Sequence, residues 1–404
     1  MFLSQRGNVL AISLGICSAF GFVQGVNADS EKSNSSGSKA DLGALLYFDD
    51  NLSINRNQSC ATCHTPPHFV DPTNIADPVN SVVSLGSDVS LNGGRNAPSA
   101  AYAAFSPFFH WNAVEGLYVG GQFWDGRANT LTDQAKGPFL NPVEMAMPSK
   151  ASVLDRLTER LNPNREQYNK LFRKIYNVSL RKLDTDEDVI AVNAVYDMMA
   201  DAIAAFEKTR KFNPFSSKFD YYLAGQAQLS DSEQRGLVLF EGKAGCSACH
   251  TSEPLISPDG NMMPPLFTDF TYDNIGIPKS THPMLVDNPV DLGLGGRPEI
   301  AATDPTGQEK GKFKVMSLRN IAVTPPYGHN GFFPTLEDIV HFYNTRDLPE
   351  AGWAAAEVPE TVNDTELGNL GLTAQEEAEL VAFMKTLTDG YAAPMTSFAF
   401  PNFP

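Results

Sequence analysis

Apolar residues recur at helical spacing in several stretches of this chain. Across 186–208, Val189, Ile190, Val192, Val195, Met198, Met199, Ile203 and Phe206 mark one broad face, and 152–175 shows the same periodicity. Ser230-Asp231-Ser232-Glu233 forms a capping box that opens a short helix through Phe240. Thr335 caps a helix carrying Ile339, Val340, Phe342 and Tyr343, and Thr373-Ala374-Gln375-Glu376 caps a last one to about Leu387. Strand alternation is weak everywhere. The pattern predicts a mostly α fold with long irregular loops. It also repeats coarsely: the segments LGALLYF and RGLVLF each precede a Cys-x-x-Cys-His motif, and Phe212-Asn213-Pro214-Phe215 breaks the chain between them. This predicts two related domains, 41–213 and 214–390, with a C-terminal tail at 391–404.

The N-terminus reads differently. Arg6 is the only charge before an apolar stretch from Val9 to Val23, and Val26-Asn27-Ala28 offers small residues before a cut. Residues 1–28 therefore read as a signal peptide, which predicts a periplasmic protein. Ser13, Gly15, Ser18 and Gly21 interrupt a run already short for a bilayer, so no membrane span is expected after cleavage. Ile16 before Cys17 is too large for an acylation signal. Residues 29–40 are Ser-rich and polar, a flexible leader. Of the 404 residues, 30 are Lys or Arg and 47 Asp or Glu, a formal net charge of -17. Such a surface repels phosphate backbones and excludes nucleic acid as the main partner, while leaving room for a basic protein.

The five cysteines are Cys17, Cys60, Cys63, Cys246 and Cys249. The last four make Cys60-Ala61-Thr62-Cys63-His64 and Cys246-Ser247-Ala248-Cys249-His250, the attachment motif of c-type haem. The spacing lets two sulfurs bond one edge of the porphyrin and brings the next imidazole beneath the iron. A dithiol redox pair and half a zinc site are the other uses of such a motif. Two copies that consume all four cysteines of an exported chain predict two covalently bound haem c groups, one on each of two cytochrome c-like domains.

A haem enzyme differs from a carrier in keeping one iron face open. A carboxylate near an open iron can move the proton of bound peroxide, and an amide can orient it. Phe123-Trp124-Asp125-Gly126-Arg127, Gln134, Pro138 and Asn141-Pro142-Val143-Glu144-Met145 supply such groups. The competing reading makes Glu144 the acid of a helix capping box opened by Asn141 and Pro142.

The two motifs, together with GGRNAPS (93–99), 123–145 and FKVMSLRNIAVTPPYGHNGFFPTLEDIVHFYN (313–344), resemble the bacterial dihaem cytochrome c peroxidases and their MauG-like branch across nearly all of the mature chain. The resemblance implies that hydrogen peroxide reacts at the N-terminal haem. Glu144 would be its acid-base residue, with Gln134 and Pro138 lining the same pocket, and Trp124 would bridge the haems. It further implies a calcium ion held by Asn96 and by the carbonyls of Thr324 and Pro326, oxygen donors that suit a hard cation. Taken by itself, Trp124 reads by default as a buried aromatic packing the domain interface.

Two departures from the ordinary peroxidase pattern stand out. Ser87, in Ser84-Leu85-Gly86-Ser87, occupies the place of a histidine that caps the first iron in many relatives, so that site is expected to rest open unless His68 or His110 substitutes. Tyr343, fourteen residues after His329, matches a tyrosinate ligand where ordinary members carry methionine; core packing of Tyr343, with Met316, Met262, Met263 or Met284 as ligand, is the alternative. The surface tryptophan that MauG carries two residues before its second motif is here Ala244. The expectation is an exported MauG-like peroxidase that shares oxidising equivalents between haems and oxidises an external redox protein or protein substrate. An ordinary cytochrome c peroxidase and a non-catalytic dihaem electron carrier are its rivals.

Overall fold

Eight helices of nine residues or more dominate the described residues: α1 (Lys39–Tyr47), α2 (Leu131–Leu140), α3 (Lys150–Thr158), α4 (Arg165–Tyr176), α5 (Val189–Glu207), α6 (Asp231–Glu241), α7 (Leu336–Thr345) and α8 (Ala374–Lys385). The computed structural model describes residues 37–182, 188–256 and 262–392, so the signal peptide, most of the leader and most of the C-terminal tail lie outside the described residues. Among the described residues sheet is confined to three two-stranded antiparallel ladders, β1 (His110–Asn112) with β2 (Leu117–Val119), β3 (Leu255–Ile256) with β4 (Met262–Met263), and β5 (Tyr272–Asp273) with β6 (Phe313–Lys314).

Local signals set most helix ends. The capping boxes at Ser230, Thr335 and Thr373 are formed, each hydroxyl accepting from the backbone N–H three residues on. Ser38 and Asp41 make another at the start of α1, so that helix begins inside the stretch expected as leader. The periodic stretch 152–175 is two helices, α3 and α4. Pro163 lies at the break, where it cannot continue a helix through its missing N–H. By length and composition alone α5 could cross a bilayer; its Val192, Val195, Met199, Ile203 and Phe206 are buried in the core instead.

The buried apolar residues gather into two main clusters, one from Leu42 to Phe212 and one from Phe219 to Leu387. Each is built on one close helix crossing. At α1 on α5, a Cβ added to Gly43 would lie 1.9 Å from the Ala202 carbonyl oxygen; at α6 on α8, one added to Gly236 would lie 2.0 Å from that of Glu379. These are the glycines of the LGALLYF and RGLVLF segments, so the internal repeat is a repeat of this crossing. Between the clusters, Arg319 forms a buried ion pair with Asp220 at 2.7 Å. The Tyr102 hydroxyl donates to Asp389 at 2.9 Å and accepts from the Phe215 N–H at 2.9 Å.

The crossings make a prediction. Gly236→Ala forces a methyl group into backbone that cannot yield without separating α6 from α8, so it should cost about 1–3 kcal/mol. Thermal or denaturant unfolding against the parent measures it; an unchanged midpoint would mean that the crossing is loose.

Candidate functional site

The short helix Cys60–Cys63 turns at His64, whose N–H donates to the Cys60 carbonyl at 2.9 Å. Tyr47, from the end of α1, donates its hydroxyl to the His64 carbonyl at 2.9 Å and ties this turn to the first core. Burial holds the His64 imidazole below its ordinary pKa, in the neutral form that can ligate a metal. Its Nδ1 is buried without a hydrogen-bond partner. In the second half Gly245, at φ +66°, makes the left-handed step into Cys246. The His250 ring nitrogen Nδ1 lies 2.9 Å from the Phe267 carbonyl. A proton donated there leaves Nε2 as the ligating atom.

Glu144 is placed by its neighbours. The α2 helix ends at Leu140, and residues 142–145 form turns rather than the helix a capping role for Glu144 requires. The turn folds back on α2: the N–H groups of Met145 and Met147 donate to the carbonyls of Pro138 and Phe139 at 3.1 and 2.8 Å. Both methionine side chains are buried in the first core, and the carboxyl beside them lines the cavity. Leu131, Gln134 and Pro138, one face of α2 at helical spacing, line it too. Burial raises the Glu144 pKa, with the charge of Arg127 and a hydrogen bond from Asn141 opposing. A carboxyl poised in this way can both give and take a proton.

Ser87 does not line this cavity. It is buried in a polar knot, its hydroxyl donating to Asn57 Oδ1 at 2.7 Å and accepting from the Asn55 N–H at 3.1 Å. Its own N–H donates to the Glu144 carbonyl at 2.7 Å. The Ser87 loop therefore braces the Glu144 turn. Gly86 permits the approach, since a Cβ there would lie 2.8 Å from the Val143 carbonyl oxygen. Neither His68 nor His110 lines the cavity; His110 is exposed on β1.

In the second half Phe342 is the buried core aromatic of α7, and Tyr343, next to it, is half-buried at the cavity wall. Burial pushes its phenol well above the ordinary value, and the neighbouring Cys249 and Asp273 add to this. Met316 also lines the cavity, whereas Met263 and Met284 do not; the Met262 side chain lies outside the described residues. Trp124 donates its indole N–H to the Asn96 carbonyl at 2.9 Å. Asn96 in turn donates its side-chain amide to the Val82 carbonyl at 3.1 Å, which leaves Oδ1 as the atom for a cation. Thr324 and Pro326 reach the same wall.

The fourteen residues expected to serve catalysis, haem binding or calcium binding thus line one continuous cavity of about 680 Å³. A family model described as di-haem cytochrome c peroxidase matches residues 37–228. The methylamine utilization protein MauG of Paracoccus denitrificans is 40% identical over 373 residues, 88% of this chain and 90% of that protein. The chain belongs to the dihaem cytochrome c peroxidase family. The cytochrome c551 peroxidase of Nitrosomonas europaea is 30% identical over 350 residues, 86% of this chain and 79% of that one. Among solved structures, the dihaem peroxidase BthA from Burkholderia thailandensis superposes with a TM-score of 0.71 at 31% identity, covering 87% of this chain and 86% of that one. The protein is a dihaem peroxidase-type oxidoreductase acting on hydrogen peroxide, and membership of the family implies two haem groups.

The residues present fit that group. A haem peroxidase needs an apolar slot with an imidazole whose coordinating nitrogen is unprotonated, and each half of the cavity supplies both. None of the four cysteines is taken up in a disulfide. A zinc site fits worse: among the described residues the one cluster of metal-binding type joins Cys249 to Asp273 and Glu366, without Cys246 or His250.

Sequence reasoning passed over three polar residues on the cavity wall. Arg127, in the quoted FWDGR segment, pairs with Asp125 at 3.0 Å and stacks over Phe123. Lys314 is buried with Ser106 and the Gly121 carbonyl as partners, and burial lowers its amine to about 7. Glu207, at the end of α5, is buried and its carboxyl is raised to about 8. An acid four residues after Ile203, on the buried face of an apolar helix, was the available signal.

Glu207 makes the site's pH dependence testable. Its folded pKa lies above the unfolded value, so the folded chain holds the proton more tightly. Stability is full below the ordinary carboxylate range and declines as pH rises towards about 8. Glu207→Gln should therefore melt higher than the parent at pH 8 and nearly level with it at pH 4.5, a comparison that differential scanning calorimetry reads directly.

Proposed function

We propose that this protein is an exported MauG-like peroxidase in which hydrogen peroxide reacts on the His64 side of the cavity and electrons are drawn from an external redox protein or protein substrate. When bound, haem supplies the redox-active iron. Cys60 and Cys63 would attach one haem and Cys246 and Cys249 the other by thioether bonds, with His64 and His250 as their iron ligands. Glu144 takes the first proton of peroxide and returns it to the departing oxygen, as general base and then general acid. Gln134 orients the peroxide through its amide, and Pro138 holds the pocket wall. Trp124 couples the two sides, its N–H fixed on Asn96, which with Thr324 and Pro326 would hold calcium. Tyr343 would be the second ligand on the His250 side, with export to the periplasm directed by residues 1–28.

The observation that carries this reading is the Glu144 turn: a carboxyl held beside two buried methionines and braced by Ser87, on a side where neither His68 nor His110 reaches the cavity. Glu144→Gln keeps the shape and removes the acid, so peroxide reduction should slow by about a hundred-fold or more with both haems retained. Stopped-flow kinetics with the haem spectrum as control makes the test; near-parental turnover would leave the carboxyl without its assigned role.

Tyr343 separates the MauG-like reading from an ordinary peroxidase, which Met316 on the same wall would serve. An anionic oxygen ligand favours the ferric state. Tyr343→His should therefore raise the reduction potential of one haem and leave the other in place. A potentiometric titration in which neither potential moves would remove tyrosinate ligation.

A further inference from the structure

One hairpin holds large apolar side chains in water. β1 and β2 pair Trp111 with Tyr118, and Trp111 is 49% exposed, Phe108 60% and Val114 96%. Aromatic pairs across strands commonly stabilise hairpins, and that accounts for Trp111 against Tyr118 at 4.9 Å between ring centroids. Hairpin pairing does not account for two further ring contacts that lead inward. Tyr118 stacks on Phe109 at 5.2 Å and 6°, and Phe109 meets Tyr272 edge-on at 6.0 Å. Tyr272 is buried in β5, and its chain neighbours Phe270 and Asp273 line the cavity at the Cys249 end. Four rings in contact run from solvent to buried Tyr272, one residue short of Asp273 on the cavity wall.

The row is firmly held. The Tyr272 hydroxyl donates to the Gly120 carbonyl at 2.5 Å, and Gly126, at φ +68°, leaves it room: a Cβ there would lie 2.1 Å from that oxygen. Arg297 lies over the Phe109 ring at 4.1 Å and donates to the Gly126 carbonyl at 2.7 Å. A cation over Phe109 disfavours removing an electron from that ring, so it bridges and does not store charge. The Tyr272 hydroxyl faces a carbonyl, which cannot accept its proton. Trp111 is the ring in the row that borders water most openly.

We infer that Trp111 is the residue through which electrons enter this protein, and that Tyr118, Phe109 and Tyr272 carry them to the cavity wall. The inference rests on the peroxidase reading above. Reduction of one hydrogen peroxide to two waters consumes two electrons and two protons. Each electron passed inward leaves the Trp111 indole oxidised by one electron, and its N–H proton goes to water. A one-electron donor then returns the electron while solvent returns the proton, and two such rounds complete one turnover.

The haem-loaded protein is treated briefly with hydrogen peroxide without any donor, and peptide mass spectrometry locates oxygen adducts on Trp111, Trp124 and Trp353 while peroxide loss is followed in the same tube. Adducts are expected on Trp111, and they should be lost in Tyr118→Leu, which interrupts the row yet leaves Trp111 in water. They should also be lost in Glu144→Gln over the same short time. Peroxide loss without Trp111 adducts, or adducts undiminished in either variant, would overturn the relay while the peroxidase reading stands. A parent protein that consumes no peroxide removes that reading, and the relay with it.

Discussion

The site hangs from two helix crossings that glycine makes close. Gly43 under the Ala202 carbonyl and Gly236 under that of Glu379 let α1 and α6 lie directly on α5 and α8. Backbones at that separation leave no freedom to slide, so each crossing is a fixed rail. The inner faces of the same helices then form cavity walls: Ile203 and Glu207 from α5, Phe240 from α6, Leu380 and Met384 from α8. The loop after α1 and the loop after α6 carry the two Cys-x-x-Cys-His turns against those walls. A larger residue at either crossing would displace the motif and the wall opposite it together.

Burial is the common cause of the site's electrostatics, and its sign differs with the group. It keeps His64 and His250 neutral, the form that can ligate a metal. It raises Glu144 and Glu207 and lowers Lys314; Glu207, at about 8, and Lys314, at about 7, become proton stores near neutral pH. Tyr343 is pushed up by the same effect, and only a bound cation would reverse it. An apolar slot thus tunes acids, bases and ligands at once. The strong ion pairs stand at its margins, with Arg95 bridging Asp125 and Asp291 at 2.7 and 2.6 Å.

What the sequence made legible depends on how local each signal is. Capping boxes at Ser230, Thr335 and Thr373 are written in four residues and mark real helix starts. The Cys and His residues of each motif are neighbours in the chain, so their convergence needs no tertiary knowledge. The α2 helix escaped because Gly137 and Pro138 lie within its ten residues, and only packing on α5 keeps it helical. Periodicity could not decide whether Phe342 or Tyr343 faces the core, since adjacent residues differ by about a third of a turn. The bracing of Glu144 by Ser87 and the contact of Phe109 with Tyr272 join residues far apart in sequence, and no local pattern encodes them.

The two halves share a crossing and a motif yet present different side chains at the cavity wall. In the first half that wall is a turn: the chain leaves α2 at Leu140, doubles back, and presents one carboxyl beside two anchored methionines. In the second it is a helix, whose buried face at Phe342 fixes the neighbouring Tyr343 at the cavity. A braced turn places a short acid at the wall with room for a small molecule, whereas a packed helix brings a bulky ring that fills its side. On the proposed reading that geometry would divide the labour, with small-molecule chemistry on the Glu144 side and charge storage on the Tyr343 side. Trp124, tied to Asn96 on the wall they share, would then couple the two.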